Sequence, residues 1–67
     1  MRVYTENDSY EFYRDEVRGW QVDENGHGWR TLVEFPTVNI GEPMRFRFVN
    51  GFTQMTEEVV DVEHADD

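Results

Sequence analysis

Met44-Arg45-Phe46-Arg47-Phe48-Val49-Asn50-Gly51-Phe52-Thr53-Gln54-Met55 reads as a strand, a corner and the start of a second strand. Apolar and charged residues alternate from Met44 to Phe48, the period of a strand with one buried face. Asn-Gly follows at once, and a two-residue type I′ corner needs positive φ at both positions, which this pair tolerates best. With Asn50-Gly51 as the corner, Val49 is expected opposite Phe52, Phe48 opposite Thr53, and Phe46 opposite Met55. Met44, Phe46, Phe48 and Met55 then share one face, and Arg45, Arg47 and Gln54 the other.

Working outward, the same logic yields two more hairpins. Met1 to Glu6 and Ser9 to Arg14 read as strands joined by Asn7-Asp8, residues that accept left-handed geometry. That register sets Val3 against Phe12 and Thr5 against Tyr10, with Arg2, Tyr4, Glu11 and Tyr13 on the opposite face. Asp15-Glu16 turns the chain into a third strand, Val17 to Glu24. A second Asn-Gly, Asn25-Gly26, leads through His27-Gly28-Trp29 into a fourth strand ending near Phe35. A corner at Asn25-Gly26 pairs Val22 with Trp29, Trp20 with Thr31 and Arg18 with Val33. It puts Trp20, Val22, Trp29, Val33 and Phe35 on one face. Gly28 signals a bulge or a longer loop, either of which would slip this register by one and send both tryptophans to the opposite face.

Pro36 lacks an N–H and marks a strand end or edge. Thr37 to Ile40 is a short extended link, and Gly41-Glu42-Pro43 a turn. Val59, Val60 and Val62 favour a strand over a short helix at residues 56–64, because branched β-carbons suit a pleated surface. The sum is all-β: about six short antiparallel strands in a hairpin meander, forming a small barrel or a two-layer sandwich. Residues 1–63 make one domain, and 64–67 a frayed acidic tail.

A chain of 67 residues buries only about 60% of its unfolded surface, so its stability is marginal. It has no cysteine, hence no disulfide and no Cys/His zinc set. Unstapled domains of this size often extend their cores by association, which makes a homo-oligomer an open expectation. Ten aromatic residues argue for a folded chain in spite of the charge. That charge is −9, from fifteen acids against six arginines and no lysine. Arg-only usage fits a GC-rich genome or a salt-loving host. Residues 1–56 hold nine acids and all six arginines, while residues 57–67 hold six acids and no base. Such a balance opposes direct nucleic-acid or membrane binding, which needs cations, and suits a basic protein partner. No apolar run approaches a membrane span and no signal-peptide core opens the chain, so a cytoplasmic setting is expected.

Four constellations carry binding hypotheses. Arg45 and Arg47, with Arg30 nearby, form either a small cationic patch or cross-strand ion pairs on a solvated face. Glu57, Glu58, Asp61 and Glu63, with Asp66 and Asp67, form either a phosphate-like row of carboxylates or a solubilising, edge-protecting end. They lack the spacing of a calcium loop. Tyr4 and Tyr13 are expected on the outer face of the first hairpin, and Val49 and Phe52 on that of the central one. Outward aromatics are either a second core layer or a contact surface. His27 and His64 read as exposed. No catalytic triad, nucleophile elbow or Gly-rich phosphate loop occurs, and neither cofactor nor catalytic activity is expected.

The opening Met1-Arg2-Val3-Tyr4-Thr5 with Ser9-Tyr10-Glu11-Phe12, the Gly28-Trp29-Arg30 segment and the closing Thr56-to-Glu63 run resemble small uncharacterised β-rich proteins of actinobacterial phages. The resemblance spans the chain as a style of sequence. It implies action in the cytoplasm of an infected bacterium, by binding a host or defence protein. Three functions are thus in view: a non-enzymatic interaction module, an acidic decoy for a nucleic-acid-binding protein, and a self-assembling virion component.

Overall fold

Alternation of buried and exposed residues runs through Arg2–Thr5, residues 9–13 and Pro43–Arg47, and it places one apolar layer inside a curled sheet. The computed structural model describes residues 1–64. Six strands follow in order: β1 Arg2–Thr5, β2 Ser9–Asp15, β3 Gly19–Glu24, β4 Trp29–Thr31, β5 Pro43–Arg47 and β6 Thr53–Glu63. They form one antiparallel sheet in the order β4-β3-β2-β1-β6-β5. The fold is all-β, with no helix among the described residues. The expected tail at 64–67 lies, from residue 65 on, outside them.

The sheet curls into a half-barrel until its two edges touch at a Leu32–Phe48 bridge. There Val33 N–H donates to the Arg47 carbonyl at 2.8 Å, and Val49 N–H to the Thr31 carbonyl at 3.2 Å. The meander holds except at β1, which pairs with the distant β6 through Val3–Val62 and Tyr4–Asp61. Phe46 is the centre of the core and fully buried. Its ring meets Tyr10, Phe12 and Phe48 edge-on at 5.4, 5.9 and 6.1 Å, the arrangement aromatic quadrupoles prefer. Val3, Val22, Leu32, Met44 and Val59 fill the space around it. The connection from β4 to β5 also contributes. Phe35 sits 4.6 Å from Trp20 and 5.2 Å from Phe12 by ring centroids, and Val38 packs beside them. Two irregularities in β6, opposite Tyr4/Thr5 and opposite Pro43/Arg45, keep Val59 and Val62 inward, at the expense of strict alternation.

The hairpins differ in register from the sequence reading. In β5–β6 the loop has three residues, Val49-Asn50-Gly51. Phe48 N–H donates to the Phe52 carbonyl at 2.8 Å, and Gly51 N–H to the Phe48 carbonyl at 3.0 Å. Gly51 alone takes the left-handed conformation, at φ +94°, while the Asn50 carboxamide accepts Phe52 N–H. This is a type I turn closed by a left-handed glycine, not a type I′ corner. The slip pairs Arg45 with Met55 and Phe46 with Gln54, so Met55 is exposed and Gln54 turns inward.

In β1–β2 the turn is Glu6-Asn7, closed by Thr5 N–H to the Asp8 carbonyl at 2.9 Å. Val3 then pairs with Tyr10, a shift of two that leaves both faces as expected. In β3–β4 the Asn25-Gly26 corner is a true left-handed pair, at φ +55° and +77°, but Gly28 adds one residue to β4. Val22 therefore faces Arg30 and Asp23 faces Trp29. Trp20 keeps its inward side, whereas Trp29 and Val33 are exposed and Leu32 takes the core position. Pro43 opens β5 instead of ending the preceding turn.

Candidate functional site

The Gly28 bulge brings Arg30 to the concave side of the sheet, at the open end of the half-barrel. There the guanidinium carbon lies 4.3 Å from the centre of the Phe48 ring, a cation–π stack. Its Nη2 donates to Gln54 Oε1 at 3.2 Å and reaches Glu24 Oε1 at 3.5 Å. Gln54 Nε2 in turn donates to Glu24 Oε1 at 3.0 Å. The β3–β4 hairpin and the distant β6 thus close one polar triad over the aromatic core.

The turns around this end are locked together. Asn25 Nδ2 donates to Asp8 Oδ1 at 2.8 Å, and its Oδ1 accepts Ser9 N–H at 2.9 Å. Asn7 Nδ2 donates to both carboxylate oxygens of Glu57, at 3.1 and 3.2 Å. Tyr10 stands among these groups. Its residue is 2% exposed, and burial together with the carboxylates of Glu24, Asp8 and Glu57 pushes its phenol up to about 12.

Two clefts open beside the triad. One of about 330 Å³ lies between β4 and the β5–β6 tip and is lined by Arg30, Thr31, Phe48, Val49, Phe52 and Gln54. The other, about 460 Å³, is bounded by Glu24, His27, Trp29, Arg30 and Gln54. Both fall in the size range of ligand clefts. Phe52 and Val49 form the lip of the first and are 71% and 64% exposed. Across the seam a third cleft, about 420 Å³, is walled by Glu34, Phe35, Pro36, Arg45 and Arg47.

The residues singled out by sequence scatter more than expected. Phe52 pairs with Phe48 and so belongs to the concave rim, not to the outer face. Tyr4 and Tyr13 are both on the outer face but do not meet. Tyr4 pairs with Ser9 and Asp61, whereas the Tyr13 ring packs 5.8 Å from Trp29, above the buried Gln21 and its hydrogen-bond partner Thr31. Arg45 and Arg47 do project together from β5, opposite Met55 and Thr53. Arg47 pairs with Glu34 at 3.0 Å, both well exposed, and Arg30 lies on the opposite side of the sheet. An ion pair that open contributes little. Glu57, Glu58, Asp61 and Glu63 line the long β6, and none of the four forms an ion pair among the described residues.

Sequence reading missed the Glu24–Arg30–Gln54 triad. The signal was Gly28, whose bulge alone decides which side Arg30 takes. Among the described residues no group of three or more His, Cys, Asp or Glu is placed to hold a metal ion, and no helix is long and apolar enough to cross a membrane. No protein-family model matches the chain, and neither the curated proteins nor the solved structures give a significant match.

Proposed function

We propose that this chain is a small non-enzymatic interaction module that binds another protein through the open end of the half-barrel. The observation that carries this reading is the Phe52–Val49 lip: two large apolar side chains, mostly in water, at the mouth of a cleft floored by Phe48. A domain this small gains more by covering such residues than by displaying them, and exposed apolar groups beside a cleft are the usual mark of a contact surface. The phage resemblance supplies a setting, the cytoplasm of an infected bacterium, and a partner class, a host or defence protein.

The four carboxylates of β6, which form no ion pair among the described residues, favour a second reading, an acidic decoy that occupies the nucleic-acid site of its target. One experiment separates the two. The tagged protein is used to capture partners from a bacterial lysate, at low and at high salt, beside Phe52→Ala and the charge-neutralised variant Glu57→Gln/Glu58→Gln/Asp61→Asn/Glu63→Gln, whose substituted side chains are all exposed. Capture that survives salt and neutralisation but fails in Phe52→Ala supports the module. Capture that fails in salt and on neutralisation, yet survives Phe52→Ala, replaces it with the decoy. Sedimentation as a multimer without a partner would point instead to an assembly component.

A further inference from the structure

The β4 edge of the sheet is unfinished. Leu32 N–H donates to the Trp20 carbonyl at 2.8 Å, so Trp20 and Leu32 are a hydrogen-bonded pair of the β3–β4 ladder. Bonded pairs alternate along an antiparallel ladder with pairs whose N–H and C=O groups point away from each other. Trp29 and Thr31 are therefore the residues of β4 that present their backbone outward, where the sheet ends. Thr31 uses its carbonyl there, accepting Val49 N–H across the seam. The chain thus pairs with its own β4 edge for one bridge and then turns away at the hairpin tip. Beyond that bridge Arg30 borders both clefts of the open end, and Trp29 the one of about 460 Å³.

We propose that an extended, basic segment of the partner adds to this edge as a further strand, seated between β4 and the β5–β6 tip. Its backbone completes the hydrogen bonds that Trp29 offers, and its side chains alternate between two environments. Those directed inward meet Phe48, Val49 and Phe52 and are apolar, since Arg30 already occupies the concave side with a positive charge. Those directed outward stand beside Trp29 and Asp23, a ring face and a carboxylate, and are Lys or Arg. Charge complementarity carries the basic assignment: the chain is −9 overall, and among the described residues Asp8, Asp23, Glu24 and Glu57 stand around this end with Arg30. The edge is only three residues long, which suits a short segment and discourages open-ended sheet growth.

This proposal rests on the interaction-module reading and refines it, and its test is separate. The ¹⁵N-labelled full chain is titrated with an octapeptide alternating Val and Arg, with its Val/Asp counterpart, and with the Val/Arg peptide N-methylated on one edge. The Val/Arg peptide is expected to shift the amides of Trp29, Thr31 and Val49 to Phe52. The acidic peptide and the methylated one are expected to bind about tenfold more weakly or worse, the loss that follows one or two missing backbone hydrogen bonds. No binding, binding indifferent to methylation, or shifts confined to Tyr4, Met55 and Val60 on the outer face would overturn it. So would shifts at Trp29 that grow with protein concentration alone, which would make a second copy the occupant. A lysate partner lost in Phe52→Ala but indifferent to competition by the Val/Arg peptide would remove this proposal and leave the module reading standing.

Discussion

Two phenylalanines six residues apart divide stability from recognition. Phe46 is completely buried and holds three rings edge-on, whereas Phe52 is 71% exposed. Phe46→Ala removes a whole core ring and leaves a cavity, a change that costs about 3–5 kcal/mol. A domain of this size has a total of only about 5 kcal/mol to lose, so the variant should be largely unfolded by circular dichroism at room temperature. Phe52→Ala should stay within about 0.5 kcal/mol of the parent in urea denaturation. Tyr10 makes a pH prediction. Its phenol is raised to about 12 by burial and by Glu24, Asp8 and Glu57, so the folded state holds the proton more tightly than the unfolded chain does. That contribution, on the order of 2 kcal/mol, is complete below about pH 10 and is lost as pH climbs toward 12. An alkaline titration should show a phenolate that appears only in that late window. Tyr10→Phe should abolish it and flatten the alkaline fall in stability. A Tyr10 phenolate forming near pH 10 would contradict the burial argument.

At the scale of the element, one glycine sets the composition of both faces of β4. Gly28 has φ +123° and adds one residue between the Asn25-Gly26 corner and Trp29, which turns Arg30 inward and Trp29 outward. Deleting Gly28 would return β4 to a plain two-residue hairpin and reverse every side chain in it. Leu32, now 3% exposed, would leave the core, and Arg30 would leave its stack on Phe48. The deletion should therefore cost about 3 kcal/mol or more by urea denaturation, beyond the roughly 1 kcal/mol of a turn perturbation. It should also expose new apolar surface to a hydrophobic dye. A near-neutral deletion would mean that Gly28 is only a spacer. The same glycine marks how far the sequence was legible. Alternation identified the strands, and Asn-Gly identified two corners, because both signals are local. The face of Val3, Tyr10, Phe12, Met44, Phe46 and Phe48 followed directly from them. Register did not follow, because a left-handed Gly51 after a type I turn and a type I′ corner can be written with the same two residues. Long-range closure was equally hidden. Nothing local states that β6 lies beside β1, or that Leu32 meets Phe48, so the mouth and its triad emerge only when the sheet curls. The two phenylalanines of the central hairpin tip show the difference: Phe48 was placed inside correctly, and Phe52 was assigned to the wrong side by one step of register.

For the whole molecule the governing quantity is charge held in a small volume. The described body spans 31 × 30 × 21 Å, about one Debye length at ~0.01 M salt and ten at ~1 M. At low salt every carboxylate therefore senses nearly every other. Among the described residues three ion pairs offset this, Arg2–Glu11, Arg30–Glu24 and Arg47–Glu34, and each is at least partly open to solvent. Such pairs contribute about 0–1 kcal/mol apiece, and screening weakens them. The repulsion among the remaining acids, with Glu57, Glu58, Asp61 and Glu63 along β6 outside any ion pair of the described residues, is screened by the same salt and has more charges behind it. Repulsion should win, because unfolding spreads the acids apart while each ion pair involves only two groups. Sodium chloride from ~0.01 M to ~1 M should thus raise the melting temperature, by about 5 °C if the net relief is near 1 kcal/mol. The double variant Glu58→Gln/Asp61→Asn should melt higher at low salt and respond less to it. A melting temperature that falls with salt would show that the ion pairs hold the barrel together. The same field then carries over to binding: a chain that strains against its own carboxylates gains stability from a basic segment laid along its edge. Peptide and salt should therefore each raise the melting temperature, and the peptide's increment should shrink as salt is added.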